Sequence, residues 1–244
     1  MNKKFIFSIL ISWLFVTTSQ SQFTLIGSKI NGTGANEESG FSTRLSDDGK
    51  TVVIGSPLST NGHVRVLEEI AGVWTLKGSQ INGAASGDEF GYATAINGDG
   101  TIIAVGSLQP ATGTGNVKVF SWDGTSWLQM GATITGVNSG EEFGCSVSLN
   151  NSGNILAIGA RESNANGTNS GQTKVYEWDG VTWNLIGSPI NGEASQDFSG
   201  YAVSLNNAGN ILAIGAIDND GGGSSAGHTR IYEWDGSAWT QKGS

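Results

Sequence analysis

An apolar run closed by small residues recurs four times along this chain, as Thr51-Val-Val-Ile-Gly-Ser56, Thr101-Ile-Ile-Ala-Val-Gly-Ser107, Ile155-Leu-Ala-Ile-Gly-Ala160 and Ile211-Leu-Ala-Ile-Gly-Ala216. The glycines that open successive units, Gly27, Gly78, Gly131, Gly187 and Gly243, are spaced 51, 53, 56 and 56 residues apart. That period is too long for a pair of helices and suits one blade of a β-propeller. The repeat also supplies its own control. A residue that the scaffold needs should recur in every unit, whereas a residue of a single functional site need not.

One unit reads as four strands. The first alternates small and apolar residues, as in Tyr92-Ala-Thr-Ala-Ile96 and Tyr201-Ala-Val-Ser-Leu205, and a glycine-bearing turn such as Asn97-Gly-Asp-Gly-Thr101 follows it. The second is the recurrent apolar run, apolar on both parities and therefore expected to be covered on both faces. The third has a period of two with basic residues outward, as in Asn116-Val-Lys-Val-Phe120. It enters a hairpin that three units form around Trp122-Asp-Gly, Trp178-Asp-Gly and Trp234-Asp-Gly. The fourth runs from Trp74 to Ile81, Trp127 to Ile134, Trp183 to Ile190, and from Trp239 onward. The chain is thus predicted to be all-β, a β-propeller of four-stranded antiparallel blades with four repeats of about 51–56 residues. The predicted boundaries are a signal peptide at 1–21, then propeller repeats over 22–244: a lone outer strand at 22–30 and blades at 31–81, 82–134, 135–190 and 191–244. The surplus outer strand and the end in mid-motif at Gly243-Ser244 suggest the front part of a larger propeller.

The leader is read from Lys3-Lys4, an apolar stretch over 5–16 and a small polar segment, in the order of a secretory signal. The apolar stretch would span about 18 Å as a helix, too short for a membrane anchor, so no membrane insertion is expected after its removal. The mature chain is expected to be secreted or held at the cell surface. Loss of Lys3 and Lys4 leaves 10 basic against 21 acidic side chains and moves the net charge from −9 to −11, a balance that disfavours nucleic acid. Cys145 is the one cysteine, which excludes an intrachain disulfide and reads as a buried strand residue.

Phe90-Gly91 and Phe143-Gly144, each followed by Val105-Gly106-Ser107 or Ile158-Gly159-Ala160, resemble FG-GAP repeats, the blades of the integrin α-subunit propeller and of many exported bacterial proteins, with a style closest to those of Bacteroidetes. The resemblance covers residues 23–244 and implies the propeller fold, with a role in cell adhesion; for activity it is unspecific. It also implies calcium in the first hairpin of each blade, but these hairpins are short and poor in acid, keeping only Asp47-Asp48-Gly49 and Asp99-Gly100.

The loop between the second and third strands lengthens along the chain, over 57–62, 108–115, 161–171 and 217–227, and such variation marks a surface that meets a partner. In the last loop Asp218 and Asp220, flanking Asn219, form a candidate calcium site; no other cofactor is expected. Glu37, Asp88, Glu141 and Asp197 recur at one place and are expected to accept backbone N–H groups. His63 and His228 alternate with Asn116 and Gln172 and read as polar residues at the start of a strand. Seven tryptophans recur in the second hairpins, where packing competes with stacking on sugars. No catalytic constellation is visible. The chain is expected to be non-enzymatic and to bind an extracellular protein or glycan. The alternatives are a glycan-binding module that supports polysaccharide use and a propeller lyase or glycosidase.

Overall fold

The computed structural model describes residues 24–108 and 113–243; the predicted leader lies outside them. Four antiparallel sheets follow one another along the chain, each ordered by sequence from an inner to an outer strand. The first consists of Ser42–Leu45, Thr51–Ser56, His63–Ile70 and Val73–Leu76, and the third of Phe143–Leu149, Ile155–Ala160, Gln172–Trp178 and Trp183–Leu185. The second and fourth repeat this order, and the molecule is an all-β propeller-type fold.

Each inner hairpin closes on its leading side chain. Asn97, Asn150 and Asn206 accept, through Oδ1, the N–H groups of Ile102, Ile155 and Ile211, and the hydroxyl of Ser46 accepts the N–H of Thr51. The turn glycines, Gly49, Gly100, Gly153 and Gly209, hold φ between 69° and 78°, where a side chain would be strained. The hairpin tips then bond to one another: Asp47 N–H donates to the Gly98 carbonyl, Gly98 N–H to Asn151 and Asn151 N–H to Asn207.

The second strand is buried along its whole length in the first and third sheets, as its two-faced apolarity predicts. Adjacent sheets press these strands together. Val53, Val64 and Val66 of the first sheet meet Phe90, Ile103 and Val105 of the second, and Ile155, Ala157 and Val175 of the third meet Leu212, Ile214 and Tyr232 of the fourth. Burying each such Val, Leu or Ile contributes about 1.5–3 kcal/mol. The sheets approach closely because glycine stands in the second strand. A Cβ on Gly55, Gly106 or Gly159 would lie 2.0, 2.1 or 2.0 Å from the carbonyl oxygen of Gly91, Gly144 or Gly200 in the next sheet.

The fourth strand differs from the continuous one expected. In the first three sheets it is broken, with Ile81–Asn82, Ile134–Thr135 and Ile190–Asn191 resuming the pairing at the start of the third strand. The break falls at Gly78, Gly131 and Gly187, whose positive φ turns the backbone away from the ladder. Each of these glycines lies against a tryptophan pair of the following sheet, such as Trp122 and Trp127 beside Gly78. Residues 24–30, expected as an outer strand, join no ladder among the described residues. They dock instead on the first sheet, where Ile30 packs beside Trp74 and Trp74 Nε1 donates to the Ile26 carbonyl at 3.0 Å.

Candidate binding site at the loop end of the channel

The inner strands of all four sheets line one axial cavity of about 360 Å³, bordered at its loop end by Phe41, Tyr92, Cys145 and Tyr201. The same end carries the variable loops that join second and third strands. Immediately before the inner strands, Glu38, Glu89, Glu142 and Phe198 hold φ of 51–53°, a left-handed backbone that is uncommon for residues other than glycine. Two of the three glutamates, Glu89 and Glu142, lie close to Arg161, which in turn bonds the Tyr92 that lines the cavity.

Arg161 opens the third variable loop, at a place filled by Pro57, Leu108 and Ile217 in the other units. Its Nε lies 2.5 Å from Glu142 and its Nη1 donates to the Tyr92 hydroxyl at 3.3 Å. The guanidinium stands 5.2 Å from the centre of the Tyr201 ring and 6.0 Å from that of Tyr92, a cation–π arrangement, while the Phe41 and Tyr92 rings meet at a tilt of 47° with centroids 4.8 Å apart. Burial pushes the carboxyl groups of Glu89 and Glu162 up, and the charge of Glu142 adds to the shift. Burial likewise raises the Tyr92 phenol and takes the Cys145 thiol to about 11, so Cys145 stays protonated at neutral pH. Aromatic walls, one guanidinium and several carboxylates thus meet at a single mouth. Beside it, the third loop and residues 137–141 enclose a polar cleft of about 570 Å³ that includes Asn138, Asn164, Gln172 and Lys174.

The recurrent carboxylates are structural. All four are buried, and each folds back on backbone N–H groups three or four residues before it. Glu37 accepts from Thr33, Asp88 from Ala84 and Ala85, Glu141 from Val137, and Asp197 from Glu193 and Ala194. His63 is buried at the start of its strand, where Nδ1 shares a 2.9 Å hydrogen bond with the Ser59 hydroxyl and Nε2 lies 4.0 Å from Glu37. Burial holds its pKa below the usual histidine value. The equivalent His228 is half-buried, 3.8 Å from Glu193.

In the last loop Asn219, not an aspartate, turns inward, and its amide donates to Asp197 at 3.0 Å. Asp220 is exposed and accepts the Ser225 N–H at 2.7 Å; Asp218 lies on the other side of Asn219, its own N–H directed to the Asp197 carbonyl. No group of three or more His, Cys, Asp or Glu side chains stands close enough to hold a metal ion among the described residues. The inner hairpins do not fit calcium, because the Asp48 carboxylate is engaged by the Ser46 hydroxyl and the Lys50 N–H, and that of Asp99 by Thr101.

The tryptophans join sheets. Trp122 and Trp127, Trp178 and Trp183, and Trp234 and Trp239 pair across their hairpins with ring centroids 5.4 Å apart. Trp127 Nε1 donates to the Lys77 carbonyl at 2.8 Å and Trp183 Nε1 to Met130 at 3.0 Å, both in the preceding sheet. Sequence reasoning weighed these rings and the recurrent acids, but it missed the cluster of Arg161, Glu142 and Glu89. Its one signal was a charged residue where the other units carry proline, leucine or isoleucine.

Residues 133–176 match the family model of the FG-GAP repeat. No curated protein matches the chain in sequence. Among solved structures it is similar to a candidate 6-phosphogluconolactonase of Bacteroides fragilis, with 14% identity and a TM-score of 0.55 over 82% of this chain and 52% of that one. It is also similar to the hydrazine synthase of Kuenenia stuttgartiensis, at 12% identity and a TM-score of 0.51 over 84% and 49%. The Dos1 propeller matches at 12% identity and a TM-score of 0.50 over 81% and 44%. The chain therefore spans about half the length of these structures, and identities this low carry the fold alone. With four antiparallel sheets succeeding one another around a shared axis, the chain has a β-propeller fold, and residues 133–176 of it are similar to the FG-GAP repeat.

Proposed function

We propose that this chain is a non-enzymatic, exported propeller module that binds an extracellular protein or glycan through the loop end of its channel. The observation that carries the reading is the cluster around Arg161, where one repeat alone places a cation between Tyr92 and Tyr201 and against Glu142. Scaffold residues recur in every sheet, and this arginine does not. Three of the four variable loops lie wholly within the described residues, on this end, and would present additional surface to a macromolecule. Leader-like residues and the excess of acidic side chains support export and an extracellular partner.

The test is surface binding of the purified chain to panels of extracellular proteins and polysaccharides, repeated with Arg161→Ala. A partner whose affinity falls by about tenfold or more in the variant, with thermal stability retained, supports the reading; tenfold corresponds to about 1.4 kcal/mol. Binding indifferent to Arg161 would remove it. A glycan ligand is the second reading, favoured by the exposed rings of Phe41 and Tyr201 at the rim. Because the tryptophans are spent between sheets, such a ligand should leave tryptophan emission nearly unmoved and be lost in Tyr201→Ala.

A further inference from the structure

The polar cleft of about 570 Å³ beside the third loop has both of its walls fixed by neighbouring sheets. On one side, the N–H groups of Gly136, Gly140 and Phe143 donate to the carbonyls of Gly115, Gly113 and Thr114 in the loop of the second sheet. On the other, the Asn166 amide donates to the carbonyls of Gly192 and Glu193, and the Gln196 N–H to that of Thr168, where the chain enters the fourth sheet. The cleft is therefore enclosed within the second, third and fourth sheets. Its volume falls within the roughly 300–1,000 Å³ of small-molecule sites, and fixed walls spare a ligand the cost of ordering them.

Inside the cleft the scaffold uses one half of each amide and leaves the other. Asn138 donates to Glu141 at 3.3 Å, Gln172 donates to Asn191 at 2.7 Å, and Asn164 accepts the Asn169 N–H at 2.8 Å. The side-chain oxygens of Asn138 and Gln172 and the amino group of Asn164 keep no partner among the described residues. Lys174 Nζ stands 5.4 Å from the centre of the Phe143 ring and makes no hydrogen bond or ion pair among the described residues. The equivalent Arg65 and Arg230 are tied down, donating to the carbonyls of Asn31 and Asn191 and to the hydroxyls of Ser39 and Ser199. Phe143 stands where those serines would be, so the Lys174 ammonium is left to the cleft. Glu162 borders the same space.

We propose that this cleft is a binding site for a neutral saccharide, separate from the mouth of the channel and independent of the reading given to Arg161. Free donors and free acceptors stand side by side in it: the Lys174 ammonium and the Asn164 amino group donate, and the oxygens of Asn138, Gln172 and Glu162 accept. A hydroxyl group does both, so a polyhydroxylated ring meets the two kinds of partner at once. An anion would gain Lys174 but face Glu162 and the buried Glu141, and a cation would meet the reverse. An apolar ligand would strand every one of these groups. Val137 and Pro189 supply an apolar wall on which the C–H face of a sugar can rest. The corresponding cleft of the first sheet, of about 420 Å³, lacks this set, because Arg65 is bound elsewhere and the loop over 57–62 is shorter than that over 161–171.

Isothermal titration of the purified chain with short neutral oligosaccharides of glucose, mannose, galactose and xylose tests this. At least one is expected to bind, and Lys174→Met, which keeps the stem over Phe143, to weaken it by about tenfold or more at unchanged thermal stability. Ala165→Trp, which fills the cleft from an exposed position of its wall, should abolish binding. Lys118→Met makes the same change over Phe90 in the second sheet and should leave the affinity as it is. No heat with any of these sugars at millimolar concentration overturns the proposal. So does a loss that Lys118→Met shares equally with Lys174→Met. Binding that Tyr201→Ala abolishes while Lys174→Met and Ala165→Trp retain it belongs to the mouth of the channel, and it too overturns the cleft as the site.

Discussion

The buried carboxylates show how a single residue type is reused as a clamp. Asp197 accepts the N–H groups of Glu193 and Ala194 and the amide of Asn219, so Asp197→Ala strands buried donors. A loss of about 2–4 kcal/mol is expected, measurable as a lower midpoint in urea at unchanged slope. The aspartates of the outer hairpins act at the surface. The N–H groups of Thr182 and Val181, with the Asn184 amide, hold the Asp179 carboxyl at about 2, and Ser126 and Thr125 hold that of Asp123 at about 2. Unfolded, these carboxyls titrate near 3.8. Stability from them is therefore present above about pH 4 and lost as pH falls toward 2, since the unfolded chain binds the proton first. A thermal-shift series from pH 5 to about pH 2 should show this loss, and a smaller one in Asp179→Asn. The hairpins and clamps were legible in the sequence because they are local: the backbone N–H donors stand within five residues of the side chain that accepts them. The Arg161 cluster was not, because Tyr92 lies 69 residues away and only the fold brings it to the guanidinium.

At the scale of elements, glycine in the second strand decides how closely sheets approach. Gly106→Ala would place a methyl 2.1 Å from the Gly144 carbonyl oxygen, which only a shift of the whole junction could relieve. It is expected to cost about 3 kcal/mol or more, whereas Gly215→Ala, at the equivalent open place, should change stability by less than about 1 kcal/mol. Paired chemical denaturation of the two variants checks the contrast. Strand two was readable from its apolar run, as was strand three from its alternation. The break in strand four was not, because Gly78 takes its conformation against Trp122 and Trp127, more than forty residues downstream. The docked segment at residues 24–30 carries a strand-four sequence without forming a strand, since among the described residues no third strand stands beside it to pair with.

For the whole molecule, stability should be graded along the arc, because inner sheets are covered on both faces and outer ones on one. Amide hydrogen exchange is expected to be slowest in Ile102–Ser107 and Ile155–Ala160, and faster in Ile211–Ala216. Equal protection of all three would contradict this gradient. The sheets are also joined twice at each seam, by the backbone bonds between hairpin tips at the hub and by tryptophan on glycine at the rim. Two fixings at different radii leave a joint no axis about which to swing. The loops are therefore held at set spacings like teeth on a comb, and a partner has to match that spacing as it stands, because the molecule cannot close around it.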